Sequence, residues 1–405
     1  MPNLRFPEFK GEWERYKVSD LLDFYSTNSL SWEQLEYDTD QMFNLHYGLI
    51  HVGLPTSLNL NKEKLPNIKK EFHPKKYELC KEGDIAFADA SEDTNDVAKA
   101  IEFTTLGNKQ VVCGLHTIHG RDNHNITVVG FKGYAFSSPT FHNQIKKIAQ
   151  GTKIYSISSK NFSECFIGIP SKEEQSKISR LFALIDERIE TQNRIIEDLK
   201  QLRSAITNRI IYNLVADKKL VPFSEIYQMA GEGGTPNTNN RQYYEGGTIP
   251  FIKIDDLSSK YLTRNKDFIT EIGLQKSSAW VIPANSLIYS NGATIGAVSI
   301  NTYKVATKQG ILGIVPKSTV CVEYLYYLTT STFFKKQIHR IITHGTMTTA
   351  YLKDINKIKV PLPDIEKQNN VIKGLITLSE KIEKEQEILA NFQAQKQYLL
   401  QQMFI

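Results

Sequence analysis

The sequence predicts an α+β protein organised as a tandem repeat, in which two β-rich domains are separated by two long helices that form an antiparallel coiled coil with pseudo-twofold symmetry. Three observations predict this fold class. The chain has 405 residues, which is too long for one compact core. Displacing the sequence by 193 residues aligns it with itself. Each half then ends in a long segment with apolar residues at heptad spacing.

The repeat is clearest where SSPTFHNQIKKI at 137–148 aligns with TSTFFKKQIHRI at 330–341, and the match continues through Gln175 and Gln368. Nearer the start of each half the displacement grows to 205, so the second copy is the shorter one. Short β-type runs between Gly, Pro and Asn turns fill the rest of each half. We therefore predict a first β-rich domain at 1–170, a central spacer helix at 171–215, a second β-rich domain at 216–362 and a C-terminal spacer helix at 363–405.

Both spacer helices begin at helix-capping residues. Ser171 precedes Glu174 by three residues, which is a capping box, and Asp364 caps the second helix in the same way. An apolar seam with steps of four and three follows in each helix and predicts that the two helices pair. The seam includes Ile185, Ile189, Gln192, Ile196 and Arg203 in the first helix and Leu378, Ile382, Glu385, Leu389 and Lys396 in the second.

The polar members of the seam predict an antiparallel register. One alignment places Arg203 opposite Glu385 and Gln192 opposite Lys396, and it leaves every other layer apolar. The alternative is that the two helices pack separately, each on its own domain.

Charge is distributed unevenly along the chain. The net charge of +5 separates into −2 for residues 1–170 and +7 for residues 216–362. The second β-rich domain is therefore the stronger candidate for binding phosphate, and the first keeps a local excess of +3 over residues 61–170.

Several classes of chemistry are excluded by missing motifs. The chain has no Pro-Pro dipeptide for an adenine-methyltransferase loop and no Gly-Lys dipeptide for a Walker loop. Its one Pro-Asp lacks the acid-x-Lys of a nuclease triad, so no catalytic residue is expected. Cys80, Cys113, Cys165 and Cys321 have no C-x-x-C spacing and are expected to be reduced packing residues.

No metal site is expected either. His116 and His119 are three residues apart in a strand-like run, and we expect no acidic ligand to join them. The glycine-rich run GEGG at 231–234 lacks the G-x-G-x-x-G spacing, so we interpret it as a turn or a close approach of two backbones. Composition is that of a folded protein, and no apolar run is long enough to span a membrane, which predicts a cytoplasmic location.

A family resemblance is carried by four runs in the second half. These are GGTP at 233–236, YYEGGTIPFIK at 243–253, SNGATIG at 290–296 and KQGI at 308–311. In this order, and together with the duplication, they resemble the DNA specificity subunit of type I restriction-modification enzymes over the whole chain. The first half departs from the pattern, because it lacks the GGTP run and has DASEDT at 89–94 in place of the glycine-rich loop.

The resemblance implies that the β-rich domains are target-recognition domains and that the chain is not an enzyme. Such a subunit reads a bipartite, asymmetric site in double-stranded DNA. It directs adenine methylation by two modification (methyltransferase) subunits and ATP-dependent cleavage by up to two restriction (translocase/nuclease) subunits. S-adenosylmethionine, ATP and Mg²⁺ are then expected on those partners, with no cofactor in this chain and no membrane partner.

Polar side chains in these loops are the candidate DNA contacts. Arg favours guanine, Asn and Gln favour adenine, and Lys more often holds phosphate. In the second domain the candidates are Arg241, Tyr243, Lys253, Asn291, Thr294, Lys304, Lys308, Gln309 and Thr346. In the first domain they are Ser91, Thr94, Asn95, His116, Arg121, Lys153 and Tyr155. For Tyr243 and Tyr244 we favour packing over stacking on a base. A coiled-coil scaffold without a DNA role is the competing interpretation of the whole chain.

Overall fold

The computed structural model describes residues 1–292, 294–342 and 348–405. The chain divides into two compact units. The first unit comprises Met1–Asn193 and Glu387–Ile405, and the second comprises Arg194–Gln386. Each unit therefore contains one β-rich domain and a segment of each long helix, α6 (Lys172–Ala216) and α11 (Ile365–Met403). The predicted α+β class is confirmed.

The first β-rich domain is built from short strands and short helices. Its helices are α1 (Val18–Leu21), α2 (Tyr47–Val52), α3 (Lys132–Phe136), α4 (Pro139–Ile148) and α5 (Ser159–Ser163). Its strands are β1 (Glu14–Lys17), β2 (Asp23–Tyr25), β3 (Leu35–Glu36), β4 (Phe43–Leu45), β5 (Ser57–Asn59), β6 (Asn67–Ile68), β7 (Ile85–Ala88), β8 (Ala90–Ser91), β9 (Ala100–Thr105), β10 (Val111–Cys113), β11 (Thr117–Arg121), β12 (Tyr155–Ser156) and β13 (Phe166–Ile169).

The second β-rich domain uses the same kinds of element. Its helices are α7 (Glu271–Gln275), α8 (Val322–Thr330), α9 (Thr332–Ile341) and α10 (Leu352–Ile355). Its strands are β14 (Leu220–Pro222), β15 (Tyr227–Glu232), β16 (Ile249–Ile252), β17 (Tyr261–Leu262), β18 (Asp267–Ile269), β19 (Leu287–Ser290), β20 (Val298–Asn301), β21 (Ala306–Thr307), β22 (Ile311–Pro316) and β23 (Lys359–Pro361).

The central sheets of the two domains have the same topology. The first has strand order β2-β11-β7-β9-β5 and the second β15-β22-β19-β20-β17. In both, the last listed strand pairs parallel with its neighbour and the other neighbours are antiparallel. Each domain also has a small antiparallel pair, β1 with β13 and β14 with β23, directly before its long helix. The internal repeat predicted from sequence is therefore present in the fold.

The aligned helices α4 and α9 show why this stretch of the repeat is the most similar in sequence. Ser138 caps α4 by accepting the N–H of Phe141, and Ser331 caps α9 by accepting the N–H of Phe334. Both phenylalanines are completely buried in the core of their own unit. The cap sets where each helix starts, and the aromatic ring three residues later fixes it to the domain.

Gln175 and Gln368 attach the long helices to their domains in the same manner. Each glutamine is buried and donates from its Nε2 to the carbonyl oxygen of the proline that precedes its helix, at 2.9 and 2.8 Å. Each also accepts a backbone N–H from its own domain, at 2.9 and 2.8 Å. A buried side-chain amide with its hydrogen bonds satisfied holds a specific orientation, which explains why glutamine stands at both positions.

The predicted caps of the long helices are confirmed in part. Ser171 Oγ accepts the N–H of Glu174, and Asp364 Oδ1 accepts the N–H of Lys367 at 2.8 Å. The Glu174 carboxylate does not complete a capping box, because it binds the Arg5 guanidinium through two hydrogen bonds of 2.7 Å. The N-terminal segment is thereby attached to the first turn of α6.

In the first unit, residues 172–193 of α6 and 387–403 of α11 run antiparallel. Ile178 and Phe182 share one apolar core with Leu400 and Met403. Lys396 forms an ion pair with Asp186 at 2.5 Å. Since residues later in α11 meet residues earlier in α6, the antiparallel direction predicted from the heptads is confirmed for this unit.

In the second unit, the remaining segments of the two helices are also antiparallel. Ile211 and Leu214 share a core with Ile372 and Leu375. Lys367 pairs with Asp217 at 3.0 Å near the end of α6. The two helices therefore pair within each unit, as the seam predicts.

The predicted register is wrong. Arg203 donates to Ser379 Oγ at 3.2 Å, six residues before its predicted partner Glu385. Lys396 pairs with Asp186, again six residues before its predicted partner Gln192. Six residues correspond to about 9 Å along a helix. A slip of nearly one heptad keeps apolar residues facing each other, so the four polar residues alone did not determine the register.

Each of the ten predicted seam residues is at least partly shielded from solvent. Five are buried, namely Ile185, Gln192, Ile196, Ile382 and Glu385, and five are half-buried, namely Ile189, Arg203, Leu378, Leu389 and Lys396. Neither long helix, nor any other helix in the described ranges, has the length and apolar character needed to cross a lipid bilayer.

Candidate nucleic-acid interface

Two lysines of the second domain emerge side by side from one edge of a small sheet. Strands β16 and β21 pair parallel, with Ile252 opposite Thr307. Lys253 and Lys308 directly follow these two residues, and Lys308 N–H donates to the Ile252 carbonyl at 3.0 Å. The Lys253 ammonium pairs with Asp267 at 2.8 Å, whereas Lys308 is exposed and makes no ion pair within the described ranges. Lys308 is thus available to hold a phosphate.

The GGTP run packs against this edge because its glycines permit close contact. Gly233 and Gly234 donate their N–H groups to the carbonyls of Ile311 and Thr307, at 2.9 and 3.0 Å. A Cβ on Gly233 would lie only 2.1 Å from the Thr307 carbonyl oxygen. Of the two interpretations of GEGG at 231–234, a turn or a close approach of two backbones, the structure shows the close approach at Gly233 and Gly234. The Gln309 N–H then donates to Thr235 Oγ1 at 3.3 Å, which joins the run to the KQG turn.

A third loop joins the same edge. Asn291 and Gly292 both donate their N–H groups to the Gly310 carbonyl, at 3.0 and 3.1 Å. The Asn291 carbonyl accepts the N–H of Ala350 at 2.9 Å. We call residues 233–235, 291–292, 308–310 and 350 the loop cluster of the second domain. Three of the four runs that carry the family resemblance contribute to it directly.

The structure argues against Asn291 as one of the predicted DNA contacts. The side chain is completely buried and its Nδ2 donates to the Ala350 carbonyl at 3.2 Å. A buried amide that holds two loops together cannot reach a base edge. Asn291 therefore supports the loop cluster, and its burial disfavours the predicted contact with a base.

The other candidates of the second domain lie in several places. Lys308, Gln309 and Thr294 are exposed, the first two within the loop cluster and Thr294 two residues beyond Gly292. Lys304 is exposed but precedes β21, so it lies at the opposite end of that strand from Lys308. Thr346 lies outside the described residues.

The hydrogen bonds of Tyr243 and Tyr244 in the second domain indicate a packing role for this pair. Arg241, beside the pair, is exposed and 3.8 Å from Glu245. The Tyr243 carbonyl accepts the N–H of Thr270 at 2.9 Å. The Tyr244 hydroxyl donates to the Pro236 carbonyl at 2.5 Å, which fixes the end of the GGTP run. The preference for packing over base stacking agrees with these bonds.

Most candidates of the first domain surround Asp89. Ser91 of β8 pairs with Tyr155 of β12, and the Ile157 N–H donates to the Asp89 carbonyl at 2.9 Å. His116 has a φ of +55° and its Nδ1 lies 3.1 Å from Asp89 Oδ1. The exposed Asn95, the half-buried Thr94 and the exposed Lys153 lie in the segments adjoining β8 and β12.

The structure also argues against Arg121 as a DNA contact. Its guanidinium is buried, donates to Asp84 through Nε and Nη2 at 2.8 Å each, and donates to Glu78 at 2.7 Å. It also stacks on the Tyr25 ring, 4.3 Å from the centroid. The hydrogen bond to Asp84 is the main cause that raises the pKa of Arg121. This residue organises the interior of the first domain, and its burial and carboxylate partners disfavour the predicted contact with DNA.

A row of aromatic rings in the first domain was missed by the sequence analysis. Consecutive ring centroids lie 4.5 Å apart from Trp32 to His46, 4.8 Å from His46 to Tyr47 and 5.1 Å from Tyr47 to His116. Trp32 and His116 are exposed at the two ends, whereas His46 is buried. Burial, and to a lesser extent the neighbouring His116, lowers the pKa of His46. We call these four residues the ring row.

The ring row has the chemistry of a surface that binds unpaired or exposed bases, because aromatic rings stack on bases of any identity. Trp32 and His116 come from parts of the chain distant from the adjacent His46 and Tyr47, so neither periodicity nor a short motif indicates the row. The adjoining loop contains Asp89, Glu92, Asp93 and Asp96 without a basic residue, which disfavours phosphate and suits hydrogen-bond donors such as the cytosine amino group.

A basic cavity of the second unit was also missed. It has a volume of about 230 Å³ and lies between α6 and the helices α8 and α9, with Lys200, Arg203 and Lys335 among its walls. The lining residues that the structure describes include no carboxylate. Three cations in one cleft attract an anion, and a DNA phosphate is one candidate.

Comparison with known proteins identifies related sequences. A family model described as the type I restriction modification DNA specificity domain matches residues 62–201 and 216–392. The chain is 31% identical over 171 residues to the type I restriction enzyme MjaIX specificity subunit of Methanocaldococcus jannaschii, which covers 41% of this chain and 39% of that protein. It is 25% identical over 233 residues to the type I restriction enzyme EcoR124I/EcoR124II specificity subunit of Escherichia coli, covering 53% and 56%. Both matches span less than two thirds of the relative's length.

Solved structures share the fold over nearly the full chain. The type-I restriction-modification system S subunit from M. genitalium has a TM-score of 0.53 at 16% identity, covering 100% of this chain and 99% of that one. A chain from a structure describing complex assembly and conformational transition of the type I R-M system has a TM-score of 0.62 at 15% identity, covering 97% of each. Because the family model matches more than half of the sequence and falls in both halves, this chain belongs to the type I restriction modification DNA specificity family.

Proposed function

We propose that this chain is the non-catalytic DNA-binding subunit of a type I restriction-modification complex. In this proposal it reads a bipartite, asymmetric target in double-stranded DNA. It directs adenine methylation by two modification subunits and ATP-dependent cleavage by up to two restriction subunits. Those partners would carry S-adenosylmethionine, ATP and Mg²⁺, and the complex would act in the cytoplasm.

The proposal rests on the observation that the two domains share one arrangement of sheets and helices, here called the frame, but differ in their loops. The central sheets repeat strand for strand, and α4 and α9 repeat cap for cap. The loops do not repeat, because the second domain presents Lys308 and Gln309 where the first presents Asp89 and His116 with the ring row. Similar frames with different surfaces are suited to reading two different DNA sequences.

Reading by the second domain would divide between its two exposed side chains. Lys308 lies beside Lys253 at one sheet edge and would hold a backbone phosphate. Gln309 is next in the chain, and its amide can form the bidentate pair with N6 and N7 of adenine in the major groove. The hydrogen bonds of the loop cluster would hold both side chains in place before DNA arrives, which lowers the entropic cost of binding.

Reading by the first domain would rely on different chemistry. The carboxylates beside His116 would accept hydrogen bonds from base amino groups, and Lys153 would contact phosphate. Trp32 at the end of the ring row would add stacking. The two half-sites are therefore expected to differ in sequence.

The test is methylation sequencing of a cell that lacks the chain and has been given it back, together with its modification subunit. The expected result is an adenine-methylated motif in two unlike parts, which disappears with the chain. Lys308→Ala with Gln309→Ala should alter the part read by the second domain, and Lys359→Ala on β23 is the control for an exposed lysine of the same domain. A chain that binds no DNA in the presence of its partner would instead support the scaffold interpretation.

A further inference from the structure

Three potential metal ligands meet in the interior of the first domain. Cys80, Cys113 and His119 are all buried, and one donor atom from each lies within 4.8 Å of the others. The two sulfur atoms are 3.6 Å apart. The residues come from the segment before β7, the end of β10 and the middle of β11, so the fold brings together what the sequence keeps apart.

The imidazole of His119 is oriented as in a metal site. Its Nε2 lies 2.7 Å from Asp84 Oδ2, and its Nδ1 is buried without a hydrogen-bond partner among the described residues. His119 itself has no exposed surface. A carboxylate on one ring nitrogen fixes the tautomer and leaves the other nitrogen as a basic donor. A buried nitrogen without a hydrogen-bond partner is unfavourable, and a bound metal ion would supply the missing interaction.

The carboxylate behind His119 is itself held in place. Asp84 accepts two hydrogen bonds from Arg121 at 2.8 Å and the N–H of Lys81 at 2.9 Å. The guanidinium balances the charge of the carboxylate, so both cysteine thiolates remain available to balance a divalent ion. The sequence analysis expected no metal because it found no acidic ligand near the histidines, and the fold supplies Asp84.

We infer that Cys80, Cys113 and His119 form a binding site for a thiophilic transition-metal ion of the zinc type. A tetrahedral zinc ion with Zn–S bonds of about 2.3 Å places two sulfur atoms roughly 3.8 Å apart, close to the separation seen here. Bringing the third donor to a similar distance requires a movement of at most about 1 Å. Two thiolates, one imidazole and a water molecule form a ligand set that zinc accepts.

Metal binding at this site would be linked to ionisation of both thiols. Zinc binds cysteine as the thiolate, so a bound ion would displace the protons of Cys80 and Cys113.

The ion would connect the two largest sheets of the first domain. β10 belongs to the sheet β10-β4-β6-β3, and β11 belongs to the central sheet. The turn between them carries His116, one end of the ring row. A metal ion below this turn would stabilise the surface of the first domain without contacting DNA.

The test uses the full-length chain, purified with all thiols reduced and titrated with Co²⁺ and then Zn²⁺. The expected result is one tightly bound ion per chain, with thiolate-to-cobalt charge-transfer absorption that Zn²⁺ abolishes. His119→Ala and Cys113→Ser should each weaken binding at least tenfold, as loss of a ligand does. Cys321→Ser, which changes a cysteine of the second domain, should bind the metal normally.

Two results would overturn the inference. The first is a chain whose thiols titrate as reduced but which shows no charge-transfer absorption with Co²⁺. The second is equal metal binding by the wild type and Cys113→Ser. If the variants do not fold, native mass spectrometry of the wild type decides between one retained zinc ion, which supports the site, and none, which refutes it.

Discussion

Replacing Lys308 and Gln309 one at a time separates phosphate binding from base reading. The two residues are adjacent in the chain and both are exposed in the loop cluster. The backbone N–H of each is already bonded, to Ile252 and Thr235, so a change of side chain leaves the loop in place. Any effect of the alanine variants on DNA binding should therefore come from the removed side chain.

The two substitutions should differ in kind. Lys308→Ala removes one phosphate contact, which lowers the slope of log K against log salt by about 0.9 and weakens binding roughly 5- to 10-fold near 0.1 M salt, on any sequence. Gln309→Ala removes a base contact worth about 1–3 kcal/mol, or roughly 5- to 150-fold, and only on the target sequence.

The assay is fluorescence anisotropy of the complex with its modification subunit, at several salt concentrations. One duplex carries the motif found by methylation sequencing and the other carries the same bases scrambled. Lys359→Ala is the charge-matched control and should behave as the wild type. The reasoning is refuted if Lys308→Ala leaves the salt slope unchanged, or if Gln309→Ala weakens binding to both duplexes equally.

Three further predictions concern the frame. Gly233→Ala places a Cβ about 2.1 Å from the Thr307 carbonyl oxygen and should abolish DNA reading by the second domain. Gly374→Ala, on an open face of α11, should instead raise the midpoint of thermal unfolding. Equal behaviour of the two variants in melting and DNA-binding assays would contradict this. Desolvation raises the pKa of Glu102, so the folded state binds its proton more tightly than the unfolded state, and stability falls as pH rises above 4.5 through the folded pKa. In urea unfolding, Glu102→Gln should lack this fall in stability with pH. It should also be about 3–5 kcal/mol less stable than the wild type at neutral pH, because the buried Lys132 loses its ionic partner. A pH dependence of stability like that of the wild type would disprove the assignment. Four-residue insertions after Asn193 and before Glu387 add about 6 Å to each long helix. They should lengthen the unread gap between the two parts of the DNA target by about one or two base pairs. An unchanged methylated motif would show that the helices do not act as a spacer.

The repeated frame could be predicted because its determinants are local. The serine caps of α4 and α9 act within a few residues, and so do the hydrogen bonds from Gln175 and Gln368 to the prolines before the long helices. These features therefore recur in the sequence at a constant displacement. The heptads likewise predicted the direction of helix pairing. The register failed because an apolar seam pairs almost equally well after a slip of nearly one heptad.

The candidate contacts were less predictable because exposure is set by residues distant in sequence. Arg121 is buried by Asp84, 37 residues earlier, and Asn291 by Ala350, 59 residues later. A polar residue in a turn-rich segment looks the same whether it faces solvent or a buried partner. Glycine-rich runs were more informative, because the close approach that they permit also fixes Lys308 and Gln309 at the surface.

The ring row and the cysteine–histidine site show the same limit for aromatic and metal-binding residues. Trp32 and His116 are joined by His46 and Tyr47 only in the folded chain. No spacing rule connects them, since His46 and Tyr47 begin α2 whereas Trp32 and His116 come from other segments of the chain. Sequence patterns detect sites built on one element, whereas these sites are built across several.

Single-molecule methylation sequencing of cells that carry either the wild-type chain or the Lys308→Ala, Gln309→Ala double variant tests the central claim most directly. The claim is that two similar frames with different loops read two separate DNA sequences. The account predicts a methylated motif in two parts, of which the double variant alters one and preserves the other. A motif that changes in both parts, or an uninterrupted motif in the wild type, would contradict it.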